Sequence, residues 1–166
     1  MKRIARFEKV SKEQFASDFQ DTFGIDGSAV YDTVKLPKRA TKGSAGYDIC
    51  TPISVTLAPG ETAKVPTGVR VWMEEGWVFK IYPRSGLGFK FRLQLNNTVG
   101  IIDSDYYNAE NEGHIFIKIT NDSNENKTVS LNAGDAFAQG IFVEYGITLD
   151  DDADGERTGG FGSTGK

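Results

Sequence analysis

The stretch that decides the fold runs from Thr62 to Ile81 and reads TAKVPTGVRVWMEEGWVFKI. It contains three short runs, residues 62–65, 69–72 and 77–81, in which β-branched and aromatic residues alternate with polar ones. The interruptions between the runs are rich in proline and glycine, which is typical of tight turns. Short strands that recur about every ten residues are characteristic of a β-sandwich, barrel or jelly roll. The segment therefore predicts an all-β domain.

The composition of the whole chain agrees with a single β-rich domain. Its 166 residues include 19 glycines, and this length is sufficient to bury a core without disulfide bonds. The one cysteine, Cys50, cannot form an intramolecular disulfide and fits a reducing compartment. No apolar run approaches the roughly 18 residues of a membrane span, and no secretory signal follows the basic N-terminus. We therefore expect a cytoplasmic protein without membrane contact.

The charge excludes one class of partner and leaves another open. A net charge of −4 argues against a nucleic-acid-binding surface, which needs clustered lysine and arginine. A nucleotide substrate stays open, because it needs only a few well-placed cations. The one histidine, His114, stands far from Cys50 in the sequence, so the chain has no zinc-site spacing.

The N-terminal part combines a strand with a helix. Residues 11–14 (SKEQ) have the pattern of a capping box, with Ser11 as the N-cap. Three phenylalanines then lie four residues apart on one face of an amphipathic helix, which ends near Gly24: Phe15, Phe19 and Phe23. This face either packs on the β domain or binds another protein. The predicted division of the chain is an extension 1–30, a β domain 31–150 and a flexible C-terminal arm 151–166.

Five segments carry groups that suit a nucleoside triphosphate: Ala45–Ile49, Pro83–Gly88, Gly100–Tyr106, Gly134–Gln139 and Gly159–Gly165. They combine an acid after an apolar run, an arginine beside a hydroxyl, and a glycine-rich tail with one aromatic ring. In this order they closely resemble the five motifs of the trimeric dUTP pyrophosphatase (dUTPase) family, over roughly residues 33–166. The resemblance implies a jelly-roll β-clip fold and hydrolysis of dUTP to dUMP and pyrophosphate.

Asp103 is the candidate catalytic acid. It follows the apolar run Val99–Ile102, and we expect it to be a buried acid whose surroundings hold it rigidly and tune its basicity. From spacing alone, an aspartate that ends a strand can equally be a turn former. The resemblance assigns to Asp103 the activation of the water that attacks the α-phosphorus. Asp105 is either a supporting acid or a turn residue.

The same region carries the residues expected to read the base and the sugar. The side-chain amide of Asn97 offers a donor and an acceptor that match one edge of uracil, and the resemblance assigns it this role. The tyrosine that matches Tyr106 packs beneath the deoxyribose and leaves no room for a 2′-hydroxyl. Without the resemblance, Tyr106 is a core or interface residue. Gly100 and Ile102 complete the expected substrate-binding residues of this region.

Arg84, Ser85 and Gly86 are the first candidate phosphate-binding residues. They supply a planar charged fork, a hydroxyl and a glycine that permits close approach, which together suit phosphate oxygens. A surface turn is the alternative interpretation. In the family, the matching arginine and serine contact the phosphates near the scissile bond. Gln139 matches a glutamine near the active site, and otherwise it is a buried, hydrogen-bonded amide.

The C-terminal arm is expected to close over the substrate. Its glycines oppose a fixed structure in the free protein because of their backbone entropy. By the resemblance, Phe161 stacks on the base, Gly162, Ser163 and Thr164 meet the terminal phosphates, and Arg157 pairs with the γ-phosphate. Closure would exclude water and complete the site. A disordered terminus without function is the alternative.

The resemblance also implies Mg²⁺ as cofactor and a homotrimer as the assembly. The ion bridges the three phosphates and keeps most of its waters, so we expect no direct protein ligand. Asp48 of the first motif is expected to hold the water shell of the ion. In the family, each site lies at a contact between subunits, and the arm reaches the site of another subunit.

Two departures from the family pattern and two alternatives remain. Residues 107–112 expand a segment that is usually short, and Ala136 stands where an arginine is common.

A dCTP deaminase of the same fold would need a glutamate motif that the chain lacks. A regulatory protein of this fold would bind a partner protein through residues 107–112 or the N-terminal helix. Asp103 and the tail favour an enzyme.

Overall fold

The computed structural model describes residues 1–155, 157 and 159, which are dominated by β-strands. The described strands are β1 (Ala5–Lys9), β2 (Lys38–Arg39), β3 (Tyr47–Cys50), β4 (Val55–Leu57), β5 (Thr62–Pro66), β6 (Val69–Met73), β7 (Trp77–Pro83), β8 (Leu93–Leu95), β9 (Gly100–Ile102), β10 (Phe116–Asn121), β11 (Val129–Leu131) and β12 (Ala136–Glu144). The pairings among these strands are antiparallel. The prediction of an all-β domain is confirmed.

Short helices connect some of the described strands: α1 (Lys12–Phe23), α2 (Ser28–Tyr31), α3 (Ser85–Phe91) and a 3₁₀ helix (Ser104–Asn108). The first confirms the predicted N-terminal helix, and the sequence had not indicated the other three. Helix α3 begins at Ser85, where the sequence had indicated no helix. Helices of four to seven residues are too short to show an apolar period. Within the described part of the chain, no helix combines the length and the apolar character needed to cross a membrane.

The largest sheet has the strand order β2-β3-β12-β7-β9. A three-stranded sheet has the order β5-β10-β8, and two strand pairs, β1-β6 and β11-β4, complete the described sheets. Strand β12 pairs with β3 on one side and with β7 on the other. Residues from distant parts of the sequence therefore become neighbours across β12.

The stretch from Thr62 to Ile81 forms β5, β6 and most of β7, as predicted. In β6 the three apolar side chains at alternate positions are buried, and the two between them are half-buried. Gly68 and Gly76, before and after β6, adopt positive φ angles of 74° and 82°. Glycine adopts this conformation without the steric cost that a side chain would impose. The turns of this stretch therefore depend on the two glycines that the sequence places there.

The N-terminal helix is packed on the β domain through its apolar face. Phe15 and Phe19 are fully buried and form a cluster with Val10, Val34 and Val69. Burial of a phenylalanine side chain stabilises a fold by about 1.5–3 kcal/mol. The main core is separate and contains large side chains from the sheets, among them Phe79, Ile81, Ile102, Ile117, Ile119 and Phe137. Of the two interpretations of the phenylalanine face, packing on the β domain is the observed one.

Ser11 caps α1, as predicted, and its hydroxyl accepts a hydrogen bond from the N–H of Gln14 at 3.0 Å. The reciprocal half of the predicted capping box was wrong. The amide of Gln14 donates to Asp18 at 2.9 Å, and the N–H of Ser11 donates to Glu112 at 2.7 Å. A distant carboxylate takes the place of the local amide, because Glu112 lies beside the start of the helix.

Candidate active site

One group of predicted site residues lies on three neighbouring strands of the largest sheet. Asp48 on β3 lies opposite Gln139 on β12, and Gln139 lies opposite Tyr82 on β7. Nη1 of Arg84, just beyond β7, donates to Oδ2 of Asp48 at 3.0 Å. Nε2 of Gln139 donates to the carbonyl of Pro83 at 3.2 Å. The sheet thus brings together residues from three of the motifs.

Two glycines leave space in this group. A Cβ atom at Gly46 would stand 2.9 Å from Oε1 of Gln139, so a side chain there would displace the amide. A Cβ atom at Gly86 would meet nothing within 4 Å, and the neighbouring Ser85 is exposed. Arg84, whose side chain is 41% exposed, is oriented by Asp48 beside this hydroxyl. An oriented guanidinium next to an accessible hydroxyl can bind phosphate oxygens.

A second group lies around the turn between β8 and β9. A cavity of about 570 Å³ opens here, a size that suits a small-molecule ligand. The predicted residues Asn97, Gly100 and Ile102 line it. Gly100 is packed closely, because a Cβ atom there would stand 3.1 Å from Cβ of Ile81. The side chain of Asn97 is exposed on the turn, where its amide can meet a ligand.

Asp103 lies at the N-cap position of the 3₁₀ helix, and its side chain is 50% exposed. The expectation of a buried acid was therefore wrong for the single chain. Ile102 is buried at 1% exposure at the end of β9, and the next side chain along an extended strand points to the opposite face. Arg157 holds both acids of the motif: Nη2 donates to Asp103 at 2.6 Å and Nε donates to Asp105 at 2.8 Å.

Tyr106 is buried at 3% exposure, and its hydroxyl is held from two sides. It donates to the carbonyl of His114 at 2.8 Å and accepts from Nδ2 of Asn111 at 2.9 Å. Burial raises the pKa of this phenol, so it stays protonated at neutral pH. The guanidinium of Arg157 lies 5.7 Å from the centre of the ring. The ring therefore lies next to the side chain that also holds Asp103.

The two groups do not meet within one chain. In the pairing of β9 with β7, the last residue of β9, Ile102, lies opposite Phe79, near the start of β7. Asp103 follows Ile102 and therefore lies close to the start of β7. Arg84 lies just past the other end of β7. The separation along β7 is about six residues, which corresponds to roughly 20 Å at the rise of a β-strand. In a single chain, Arg84 and Asp103 are too far apart to act on one phosphate group.

The predicted contacts of the arm are only partly described. Phe161, Gly162, Ser163 and Thr164 lie outside the described residues. Arg157 is described, with its side chain 13% exposed and paired with the two acids. Its assignment to the γ-phosphate stays a prediction.

Several cavity residues carried no signal in the sequence. The cavity is also lined by Asp18, Lys64, Leu95, Asn96, Asn111, Phe116, Ile117 and Lys118. Asp18 belongs to the polar face of α1, and Asn111 lies in the expanded segment. Only contacts distant in sequence bring these two beside Asn97, so no local pattern could have indicated them.

The residues of the first group fit a magnesium ion that is held mainly by a substrate. In the described part of the chain, no three His, Cys, Asp or Glu side chains cluster in a way that could hold a metal ion. The carboxylate of Asp48 is already paired with Arg84 and is 26% exposed, which suits contact with metal-bound water. Mg²⁺ itself stays a prediction.

Comparison with known proteins adds independent evidence. A family model described as dUTPase matches residues 32–165. The deoxyuridine 5'-triphosphate nucleotidohydrolase of Lactococcus lactis subsp. lactis (strain IL1403) is 44% identical over 136 residues, which cover 80% of this chain and 89% of that protein. A dUTPase structure from Streptococcus mutans aligns with a TM-score of 0.64 and 35% identity, covering 86% of this chain and 97% of that one.

A more distant structure extends the likeness in fold. The dUTPase of Staphylococcus bacteriophage 80alpha is 23% identical and aligns with a TM-score of 0.65, over 99% of this chain and 100% of that chain. At this identity it shows the shared fold alone. The family match spans most of the chain, and the Lactococcus lactis relative exceeds 40% identity. The chain therefore belongs to the dUTPase family of hydrolases.

Proposed function

We propose that this protein hydrolyses dUTP to dUMP and pyrophosphate with the help of Mg²⁺. The observation that carries the proposal is the family match over residues 32–165, which spans all the predicted site residues. Its most similar relatives include the Lactococcus lactis protein, which is named for this activity. The single free cysteine fits a reducing compartment, and we propose the cytoplasm as the place of action.

The base would enter the cavity at the turn between β8 and β9. The side-chain amide of Asn97 would pair with one edge of uracil, while the close packing of Gly100 on Ile81 gives this wall a fixed shape. The exocyclic amine of cytosine is a hydrogen-bond donor, and it would face a donor of a side-chain amide that is oriented to match uracil. Ile102 supplies an apolar surface beside the base.

The sugar would lie on Tyr106. Its ring is fixed by two hydrogen bonds at the hydroxyl end, so it cannot move aside to admit a larger sugar. A 2′-hydroxyl would meet this ring, and ribonucleotides would be disfavoured. The position of the tyrosine is therefore the proposed source of selection for deoxyribose.

The phosphates would bind to Arg84, Ser85 and Gln139, with Gly86 permitting close approach. Mg²⁺ would enter with the triphosphate and neutralise its charge, with Asp48 in contact with the water shell. Electrostatic stabilisation of the phosphate oxygens is the usual source of rate in such reactions. Phe161, Gly162, Ser163 and Thr164 are proposed to complete the site from the arm.

Asp103 would activate the attacking water. Its carboxylate is half-exposed, where it can meet a water molecule, and Nη2 of Arg157 holds it at 2.6 Å. When a triphosphate is bound, Arg157 has stronger partners in the γ-phosphate oxygens and would release Asp103. The contact between Arg157 and Asp103 therefore belongs to the substrate-free chain.

The separation of Arg84 from Asp103 supports a site shared between subunits. About 20 Å lies between them along β7, whereas both are expected to act near the same phosphate. A second copy of the chain would bring its own Arg84 group next to this Asp103. We therefore propose a homotrimer with its sites at the subunit contacts.

The activity is tested by incubating the purified protein with dUTP, dCTP and UTP in separate reactions with Mg²⁺. We expect pyrophosphate and dUMP from dUTP, and little product from the other two nucleotides. A dCTP deaminase would instead release ammonia from dCTP without pyrophosphate. Pyrophosphate release from dUTP no faster than from UTP would contradict the proposal.

A further inference from the structure

We propose that α1 and residues 107–114 together form an N-terminal clamp that sets the position of Tyr106 and of one wall of the cavity. Asp18 would then be a positioning residue for substrate selection, an inference that rests on the proposed function. The family match begins at residue 32, so α1 lies outside it. Residues 107–112 are the expanded segment of the third motif. Two parts of the chain without a motif therefore meet beside the expected base and sugar site.

The first contact of the N-terminal clamp joins the start of α1 to Glu112. Both carboxylate oxygens take part: Oε2 accepts from the N–H of Ser11 and Oε1 accepts from its hydroxyl, each at 2.7 Å. Ser11 is also the N-cap of α1. A carboxylate at this end of a helix is favoured by the helix dipole. Glu112 therefore fixes both the first turn of α1 and its own segment.

The second contact joins the middle of α1 to His114, which is fully buried. Oδ2 of Asp18 lies 2.6 Å from Nδ1 of the imidazole, and the N–H of Gly68 donates to Nε2 at 2.8 Å. A backbone N–H can only donate, so Nε2 carries no proton and Nδ1 is the donor to Asp18. The imidazole is thus neutral, with its tautomer and orientation fixed by α1 on one side and by the turn before β6 on the other.

From His114 the contacts continue to Tyr106. The carbonyl of His114 accepts the Tyr106 hydroxyl at 2.8 Å, and Asn111 donates to the same hydroxyl at 2.9 Å. The N–H of Gly113 donates to the side chain of Asn111 at 3.2 Å, which orients the amide. Both described hydrogen-bond partners of the Tyr106 hydroxyl therefore belong to the segment that α1 holds. A displacement of α1 would move the hydroxyl end of the ring.

Strand β1, which precedes α1, holds the N-terminal end of residues 107–114. The hydroxyl of Tyr107 donates to Oε2 of Glu8 at 2.6 Å, and Nη2 of Arg70 donates to the same oxygen at 3.1 Å. The guanidinium of Arg70 lies 4.4 Å from the centre of the Tyr107 ring. Glu8 on β1 lies opposite Arg70 on β6. The segment is therefore attached to the N-terminal part at both its ends.

Two members of the N-terminal clamp reach the cavity itself. Asp18 and Asn111 line it together with Asn97. The hydrogen bonds to Asp18 from Gln14 and His114 both end on Oδ2, so Oδ1 has no hydrogen-bond partner among the described residues. The N-terminal clamp thus contributes a carboxylate and an amide to the lining of the cavity. Its shape and polarity depend on how α1 is docked.

The test compares Asp18→Ala, Asp18→Asn and, as a matched control, Asp21→Ala in the full chain. Asp21 lies on the exposed face of the same helix, and it has no described side-chain contact. For each variant, kcat and KM are measured with dUTP and with UTP, together with Tm. We expect Asp18→Ala to raise KM for dUTP about tenfold and to lower the ratio of kcat/KM for dUTP to that for UTP by about the same factor. Its kcat with dUTP should stay within about threefold of the wild-type value. Asp18→Asn keeps an acceptor for Nδ1–H and should restore both values.

The outcomes separate a positioning role from a merely structural one. If Asp18→Ala lowers Tm but matches Asp21→Ala in KM and in preference for dUTP, the proposal fails. A failure of Asp18→Asn to restore these values would overturn the role of the His114 hydrogen bond. If Asp18→Ala does not fold, Asn111→Ala is measured in the same way, since it removes a cavity wall and a Tyr106 partner without changing α1. A wild-type protein that does not hydrolyse dUTP would instead refute the proposed function.

Discussion

The two halves of the proposed site are built in different ways. The Arg84 half lies on adjacent strands of one sheet, where the pairing of β3, β12 and β7 aligns Asp48, Gln139 and Arg84. The Asp103 half lies on a turn and a 3₁₀ helix, and contacts from distant parts of the chain hold it. Regular strand pairing thus fixes the phosphate side, whereas the base and sugar side depends on side-chain contacts. Changes in the second half should therefore alter selection and stability together.

The largest effect is expected from Asp103→Asn. Without a base to accept the proton of the attacking water, hydrolysis should fall by about 10²- to 10⁴-fold while nucleotide binding is kept. Steady-state pyrophosphate release and binding of a non-hydrolysable dUTP analogue measure the two properties. Asp105→Asn is the matched control, because it removes the neighbouring acid that Arg157 also contacts. A variant within about threefold of wild type would remove Asp103 from the mechanism.

A mixing experiment tests whether the two halves come from different subunits. Asp103→Asn and Arg84→Ala should each be nearly inactive alone. If they are refolded together in equal amounts, random trimers with sites between neighbouring subunits should regain up to about a quarter of the wild-type activity. Sedimentation of the wild type should give roughly 55 kDa, three times the 18.2 kDa of the chain.

The mixture and the mass can each contradict the shared site. Complete inactivity of a refolded mixture of normal mass would place both halves in one subunit. An active monomer would exclude the trimer as well.

A smaller effect is expected from Tyr106→Phe, which separates the hydroxyl from the ring. Without the two hydrogen bonds of the hydroxyl the ring is held less firmly, so the preference for dUTP over UTP should narrow, although the ring itself remains. Loss of the hydroxyl removes one donor from the buried carbonyl of His114, which still accepts from Asn111 at 3.3 Å, so the expected cost is about 1–1.5 kcal/mol of stability. Thermal unfolding measures the cost, with Tyr145→Phe at a half-exposed position as control. If neither Tm nor the preference for dUTP over UTP changes, the hydrogen bonds of the hydroxyl do not hold the ring in place.

The smallest effect is expected from Glu112→Gln, and it depends on pH. Burial raises the pKa of Glu112, but the hydrogen bonds from Ser11 outweigh burial and lower the pKa in the folded state. A lowered pKa stabilises the fold above the pKa of the unfolded chain, about 4.3, and this contribution is lost as the pH falls through the folded value. At pH 7 the variant should be less stable by about 1 kcal/mol, or about 2–4 °C in Tm.

At about pH 3 the two proteins should unfold at nearly the same temperature. Glu110→Gln, at an exposed position of the same segment, is the control. It should show no difference in Tm from wild type that disappears at low pH. A difference in Tm between wild type and Glu112→Gln that persists at low pH would mean that charge on Glu112 is not the source of the stabilisation.

The sequence predicted the sheet side of the molecule well. Alternation and turn residues from Thr62 to Ile81 indicated the strands, because the period of a half-buried strand is visible in a single run of residues. Ser11 was identifiable as an N-cap for the same local reason. The motifs also pointed to Asn97, Gly100 and Ile102, which do line one cavity.

The sequence could not predict what depends on distant contacts. It left Asp18 and Asn111 out of the cavity wall, because neither belongs to a local pattern. It expected Asp103 to be buried, although the end of β9 turns this side chain outward. It also gave no sign of the helix after Arg84, since a helix as short as α3 shows no apolar period. For Asp18 and Asn111 the contacts were decided by another part of the chain, whereas Asp103 and α3 were missed because their local patterns are too short.

The one histidine of the chain has a practical consequence. A protein labelled with ¹⁵N only on its imidazole would give a single pair of ring signals, with no overlap to resolve. Those two nitrogens contact Asp18 and Gly68, so their chemical shifts would report the docking of α1 and the tautomer of the ring in one spectrum. The same spectrum, recorded during a nucleotide titration, would show whether binding in the cavity changes the chemical shifts of this buried imidazole. The protein thus carries its own spectroscopic probe at the point where its N-terminal helix meets the β domain.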